Sequence, residues 1–138
     1  MYITKIENKI LSKLSQYSYK DLQTVPCKKG IYFHYYKDEL IYVGKATSSP
    51  NGSLCNRIKK HYSGQRGSDQ FGLYIYDSYI KTSLDGIGAS LSKELNEITK
   101  LWARENLLFS YIVLEDSEDE SSVESRLRRE SQPKLNPL

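Results

Sequence analysis

Residues 30–45, GIYFHYYKDELIYVGK, narrow the fold more than any other stretch of this chain. Two runs rich in aromatic and branched residues, GIYFHYY and ELIYVGK, flank the polar tripeptide KDE. Such runs read as β-strands, and so short a connection joins them as an antiparallel hairpin. Burial of a hairpin needs apolar side chains at alternate positions. It does not need Tyr32, Tyr42 and a Gly44-Lys45 pair near the strand ends, so that polar excess calls for a chemical explanation.

The flanking segments set this hairpin among helices. In ITKIENKILSKL, Ile3, Ile6, Ile10, Leu11 and Leu14 fall on one helical stripe, which predicts an N-terminal helix over 1–20. After the chain-breaking SSPNGS, LCNRIKKHY carries Leu54, Ile58 and Tyr62 at helical spacing. QRGSDQFGLYIYDSYI fits two states. Phe71, Leu73 and Ile75 alternate, which suggests a strand, and a helix stays open because short apolar runs resist assignment by period. LSKELNEITKLWARENL reads as a helix with Leu91, Leu95, Ile98 and Trp102 on one side. NLLFSYIVLE reads as a strand, and SSVESRLRRE as a helix with an acidic first turn that ends before Pro133. The expected fold class is α+β: a small antiparallel β-sheet flanked by helices, within a single domain over 1–138. Residues 65–106 are expected to be an inserted α/β elaboration.

Charge points to a partner. Six of the 17 acidic residues crowd into 115–124, EDSEDESSVE, which leaves 20 bases against 11 acids elsewhere. A basic body of that kind suits a polyanion such as DNA. No apolar run approaches the roughly 20 residues of a membrane span, and the lysines scattered through MYITKIENKILSKL are unlike a signal peptide. Cys27 and Cys55 lack metal-ligand spacing and read as two free thiols in a reducing cytoplasm.

The ordered set Gly30-Ile31-Tyr32, Tyr42-Val43-Gly44, Lys45, Arg57, Glu124 and Asn136 resembles the GIY-YIG nuclease family. The match runs across about 105 residues, with PKLN closing it at 133–136. His61, one helical turn after Arg57, is similar to the homing and restriction branches of that family. The resemblance implies a GIY-YIG domain and a metal-dependent DNA endonuclease that leaves 5′-phosphate and 3′-hydroxyl ends, in restriction or a similar defence role. It implies Mg²⁺ or Mn²⁺ with Glu124 as the one protein ligand, an arrangement usual for Mg²⁺, which keeps several waters. No organic cofactor and no membrane are expected. A single site cuts one strand, so a homodimer on duplex substrate is expected.

Within this frame Arg57 offers a planar fork to the phosphate. Tyr42 is assigned as general base or water-orienting group, with the Lys45 ammonium lowering its pKa. Tyr32 positions water or phosphate, and the two tyrosine roles can be exchanged. His61 protonates the leaving group, orients Tyr32 or holds phosphate. Asn136 fixes the strand ends or a water. Gly44 would let substrate approach the backbone, and Lys60, Arg66 and Arg128 (the last with Arg126 and Arg129) would contact DNA. Glu130 is the fallback for Glu124. Gln65, Arg66, Gln70 and Asn96 are candidate base readers, while Asp69, Asp77 and Asp85 have no evident role. Two alternatives are a nuclease for single-stranded or branched DNA, with FGLYIYDSY as a stacking platform, and an inactive nucleic-acid-binding module.

Overall fold

A computed structural model describes residues 14–67, 69–84 and 92–137. Among them the chain forms a three-stranded antiparallel sheet in the order β2-β1-β3, with β1 Gly30–Tyr36, β2 Glu39–Ala46 and β3 Leu108–Val113. Helices α1 (Leu54–His61) and α3 (Ser92–Asn106) come from the two stretches of helical period, and α4 (Glu120–Ser131) follows β3. The coarse α+β expectation holds. None of the described helices is long and apolar enough to cross a membrane.

The hairpin turns more tightly than KDE suggested. Lys37 and Asp38 alone make the turn, both with left-handed φ (49° and 65°), the geometry that matches the twist of adjoining strands. β1 is the central strand and is covered on both faces, which is why GIYFHYY is so apolar. Even-numbered Tyr32 and His34 face α1 and the segment after it; odd-numbered Ile31, Phe33 and Tyr35 pack with Val43, Val123 and Leu127 under α4. The register shifts between His34 and Tyr35, so that Ile41 is bulged out of the pairing. Bulges of this kind re-aim neighbouring side chains, and here Ile41 and Tyr42 both pack toward the α1 side.

The ambiguous segment is helical: α2 (Gln70–Ile75) runs into a π-helical turn, Tyr76–Ile80, and then a 3₁₀ turn, Lys81–Leu84. The alternation of Phe71, Leu73 and Ile75 misled because Leu73 is the exposed member at 38%. Phe71, Ile75 and Ile80 are the buried ones, and the wider π turn absorbs the one-residue excess between the last two. Between 65 and 106 the described residues contain helices and turns but no strand, so the expected α/β elaboration is an α one.

Two further expectations change, and one feature is new. Most of the predicted N-terminal helix, 1–13, lies outside the described residues. Leu14–Ser18 is not helical: Tyr17 exchanges two backbone hydrogen bonds with Phe109 at the β3 edge, and a separate 3₁₀ helix follows at Tyr19–Thr24. Cys27 and Cys55 are not free thiols but a disulfide, with Cα atoms 4.8 Å apart. The hydrogen bond from Leu54 N to Lys28 O brings the two segments together, a long-range contact that cysteine spacing cannot reveal. Finally, the outer edge of β2 is covered. Gln132 ends α4 in the left-handed region, Pro133 follows, and the tail then runs beside the strand with Leu135 N donating to Ile41 O at 2.8 Å. An edge so paired is closed to other strands.

Candidate active site

The sheet face toward α1 gathers four of the predicted residues. Tyr32 on β1 is wholly buried and its Oη lies 2.7 Å from His61 Nε2 on α1. Arg57, one turn earlier on the same helix, faces Tyr32, Tyr42 and Asp69 closely enough that each of them raises its pKa, outweighing the opposing effect of burial. Arg57 Nε is buried with no hydrogen-bond partner, a donor suited to an anionic oxygen. Tyr42 is half-buried and its ring lies 6.4 Å from that of Tyr32. Thus Arg57 and His61 share a helix face as the four-residue spacing predicts, and that face closes over the two tyrosines.

Burial decides the protonation of these groups. It pushes the Tyr42 phenol up to about 12, with the Asp69 and Glu124 carboxylates adding to the shift and Arg57 opposing it. Burial likewise raises Tyr32, with the neighbouring Tyr42 second. The expected lowering of a phenol pKa by Lys45 is not found. Residues three apart on a strand point to opposite faces, so Lys45 leaves on the α4 side, where its Nζ donates to Ser121 Oγ at 2.8 Å. The cation that opposes the rise at both phenols is Arg57.

Gly44 also has a different task. It stands opposite Tyr32 across the hairpin, and a Cβ there would lie inside the Tyr32 phenol ring. The missing side chain makes room for the tyrosine rather than for substrate.

Glu124 sits near the outer edge of β2. Its carboxylate accepts from Arg128 Nη1 at 3.2 Å, and it contributes to the raised pKa of Tyr42. Glu130, the fallback, is exposed on the last turns of the same helix. Among the described residues no three His, Cys, Asp or Glu side chains come together as a metal cage. Glu124 nonetheless fits a weakly held hard cation: only one carboxylate oxygen is engaged, and the donor is of the right kind. Asn136 spends both ends of its amide on one residue of β2. Val43 N donates to its Oδ1 at 3.1 Å, and its Nδ2 donates to Val43 O at 2.7 Å. It therefore holds the strand rather than a water. Arg128 Nε donates to Asn136 O at 3.0 Å, which ties this arginine to the tail as well as to Glu124.

The remaining predicted contacts divide. Lys60 is exposed on α1. Arg66 and Asn96, two candidate base readers, bind each other: Arg66 Nε donates to Asn96 Oδ1 at 2.9 Å, and the guanidinium lies 4.7 Å from the Tyr76 ring centroid. Gln65 and Gln70 are exposed, as is Asp77; Asp85 lies outside the described residues.

Sequence reasoning missed Asp69. Its Oδ2 lies 2.8 Å from His61 Nδ1, and its Oδ1 accepts from Phe71 N at the start of α2. The sequence signal was an aspartate just before a helix, a usual N-cap, but the ambiguous state of the following residues hid it. It also missed His34, wholly buried at the back of the site, stacked 4.5 Å from Phe71 with neither ring nitrogen hydrogen-bonded.

No protein-family model, curated protein or solved structure matches this chain.

Both histidines are held neutral, and this gives the fold a pH dependence. Burial lowers His34 well below its ordinary value and lowers His61 against the pull of the Asp69 hydrogen bond. In the unfolded chain an imidazole titrates near 6.5. As pH falls, the unfolded chain takes up protons first, so stability is complete above about 6.5 and is lost on descending toward the folded values. Each group contributes at most about 1.4 kcal/mol per pH unit in that window. The urea midpoint should drop between pH 7 and pH 5, and His34→Leu should remove about half of the slope. A midpoint unchanged over this interval would contradict the buried neutral pair.

Proposed function

We propose that this chain is a metal-dependent DNA endonuclease of the GIY-YIG type, hydrolysing phosphodiester bonds to 5′-phosphate and 3′-hydroxyl ends in a restriction or defence setting. The observation that carries the reading is the meeting of Tyr32, Tyr42, Arg57 and His61 on one sheet face, with Glu124 in electrostatic reach of Tyr42.

The chemistry follows from the residues. Hydrolysis of a phosphodiester puts charge on the phosphoryl oxygens, and donors already in place for that charge lower the barrier. Arg57, with a buried and unpartnered Nε beside two phenols, supplies such donors. Tyr42 is the more accessible phenol and orients the attacking water. Tyr32, fully buried, acts from behind. Glu124 would hold Mg²⁺ or Mn²⁺, which would supply charge neutralisation at the phosphoryl group and a more acidic bound water. Exposed Lys59 and Lys60 on α1 favour a polyanion along the same helix.

Duplex DNA is preferred over a stacked single strand as substrate. In FGLYIYDSY, Phe71 is buried and stacked on His34, the Arg66 guanidinium lies over the Tyr76 ring, and Tyr79 is stacked on Trp102 with ring centroids 5.2 Å apart. These rings are already occupied.

The test uses supercoiled plasmid, single-stranded circles and a branched duplex, each with Mg²⁺ or with EDTA. Nicked and linear plasmid carrying 5′-phosphates, formed only with the metal, is the expected result. Salt-sensitive binding without cleavage on every substrate would replace the nuclease with a binding module. Sedimentation on cut duplex should show a dimer, since one site with one metal cuts one strand.

A further inference from the structure

Asp69 lies in the segment expected to be an insertion, and nothing in the proposed chemistry uses it. It is nonetheless a buried carboxylate, only 6% exposed, and both of its oxygens are committed. Oδ1 caps the first turn of α2, which fixes the carboxylate to the backbone. Oδ2 lies 2.8 Å from His61 Nδ1, and on the far side of the same ring Nε2 lies 2.7 Å from Tyr32 Oη. The Arg57 guanidinium is beside Tyr32.

We propose that Asp69 is the positioning residue of this site, setting the direction of a hydrogen-bonded chain that runs Arg57 to Tyr32 to His61 to Asp69. The proposal rests on the nuclease reading for its consequence but not for its geometry. A carboxylate only accepts, so His61 Nδ1 carries the proton and donates it. A neutral imidazole has one donor and one acceptor nitrogen, so Nε2 must accept, and Tyr32 O–H donates to it. The Tyr32 oxygen then turns its lone pairs, not its proton, toward the Arg57 cation. Each member accepts from the one before, and such chains reinforce one another. The result is a guanidinium held in one orientation over the site by a buried, fixed acceptor. No proton need leave any of these groups during turnover; their part is to aim the arginine.

Reversing the link between His61 and Asp69 reverses all of them. Asparagine at 69 can donate through its amide to Nδ1, which moves the ring proton to Nε2. Nε2–H would then donate to Tyr32, and the Tyr32 O–H would face the Arg57 N–H groups, donor against donor.

The ring tautomer is read directly by long-range ¹H–¹⁵N correlation spectra of the imidazoles. Wild-type His61 should carry its proton on Nδ1, and Asp69→Asn should shift it toward Nε2. Asp69→Ser provides a second variant: it keeps a helix-capping oxygen but is too short to reach the imidazole. Both variants should retain the far-ultraviolet circular dichroism of the wild type, bind duplex DNA within about threefold, and cut with a kcat on the order of 10²-fold lower. Wild-type His61 protonated on Nε2 would overturn the proposed direction, and folded variants cutting at the wild-type rate would overturn the positioning role. A wild-type protein that binds but never cuts would instead overturn the nuclease reading, while its His61 tautomer would still decide the direction of the chain.

Discussion

Arg57→Ala should reduce DNA cleavage by 10³-fold or more while lowering the stability of the protein only slightly. The magnitude is that of removing a cationic donor from a phosphoryl-transfer site, on the order of 10³–10⁵. The stability half of the expectation comes from the surroundings. Burial works against the Arg57 charge and its Nε has no hydrogen-bond partner, but Tyr32, Tyr42 and Asp69 outweigh the burial, so losing the side chain costs the fold a little. Binding should weaken only modestly, because the other basic residues of the surface also neutralise phosphates. Lysine at 57 should recover little, since an ammonium cannot present two parallel donors. Rates from single-turnover plasmid cleavage and a thermal melt check the two halves, with binding followed by fluorescence anisotropy. A variant that cuts within tenfold of wild type would remove Arg57 from the chemistry.

Gly44→Ala should act oppositely, damaging the fold first and the site through it. The added methyl must occupy space filled by the Tyr32 ring, which is fully buried. Tyr32 is held at one end by His61 and packed beneath α1, so it has no free space to move into. Overpacking of this kind costs about 1–3 kcal/mol, a fall in Tm of roughly 5–10 °C for a domain this size. Displacing the phenol would also break the link to His61. The control is Gly67→Ala, where an added Cβ meets nothing within 4 Å; there neither Tm nor cleavage should change. Equal behaviour of the two variants in thermal melts would refute the packing role of Gly44.

Much of this architecture could be read from residue order, for physical reasons that also mark where reading stops. The hairpin and β3 show as runs of aromatic and branched residues, β1 being buried on both faces, and α1, α3 and α4 show as helices because each buries one stripe. The 70–84 segment did not, since a π turn shifts the buried stripe by one position between Ile75 and Ile80. Lys45 was within reach of sequence reasoning: three steps along a strand put it on the face away from Tyr42. Gly44 was not, because its neighbour is set by cross-strand register with Tyr32. Asp69 and the Cys27–Cys55 disulfide are long-range facts of the same kind. Local periodicity reports which side of an element is apolar, and it is silent on which two elements will meet.

The clasp of Asn136 on Val43 joins residues 93 positions apart. During synthesis, a chain that has already delivered both tyrosines and Arg57 still lacks the amide that pins their strand. Glu124 and Arg128 arrive only shortly before it. The strand that carries Tyr42 is therefore pinned only after residue 136 has left the ribosome, and that border of the sheet closes late rather than by degrees.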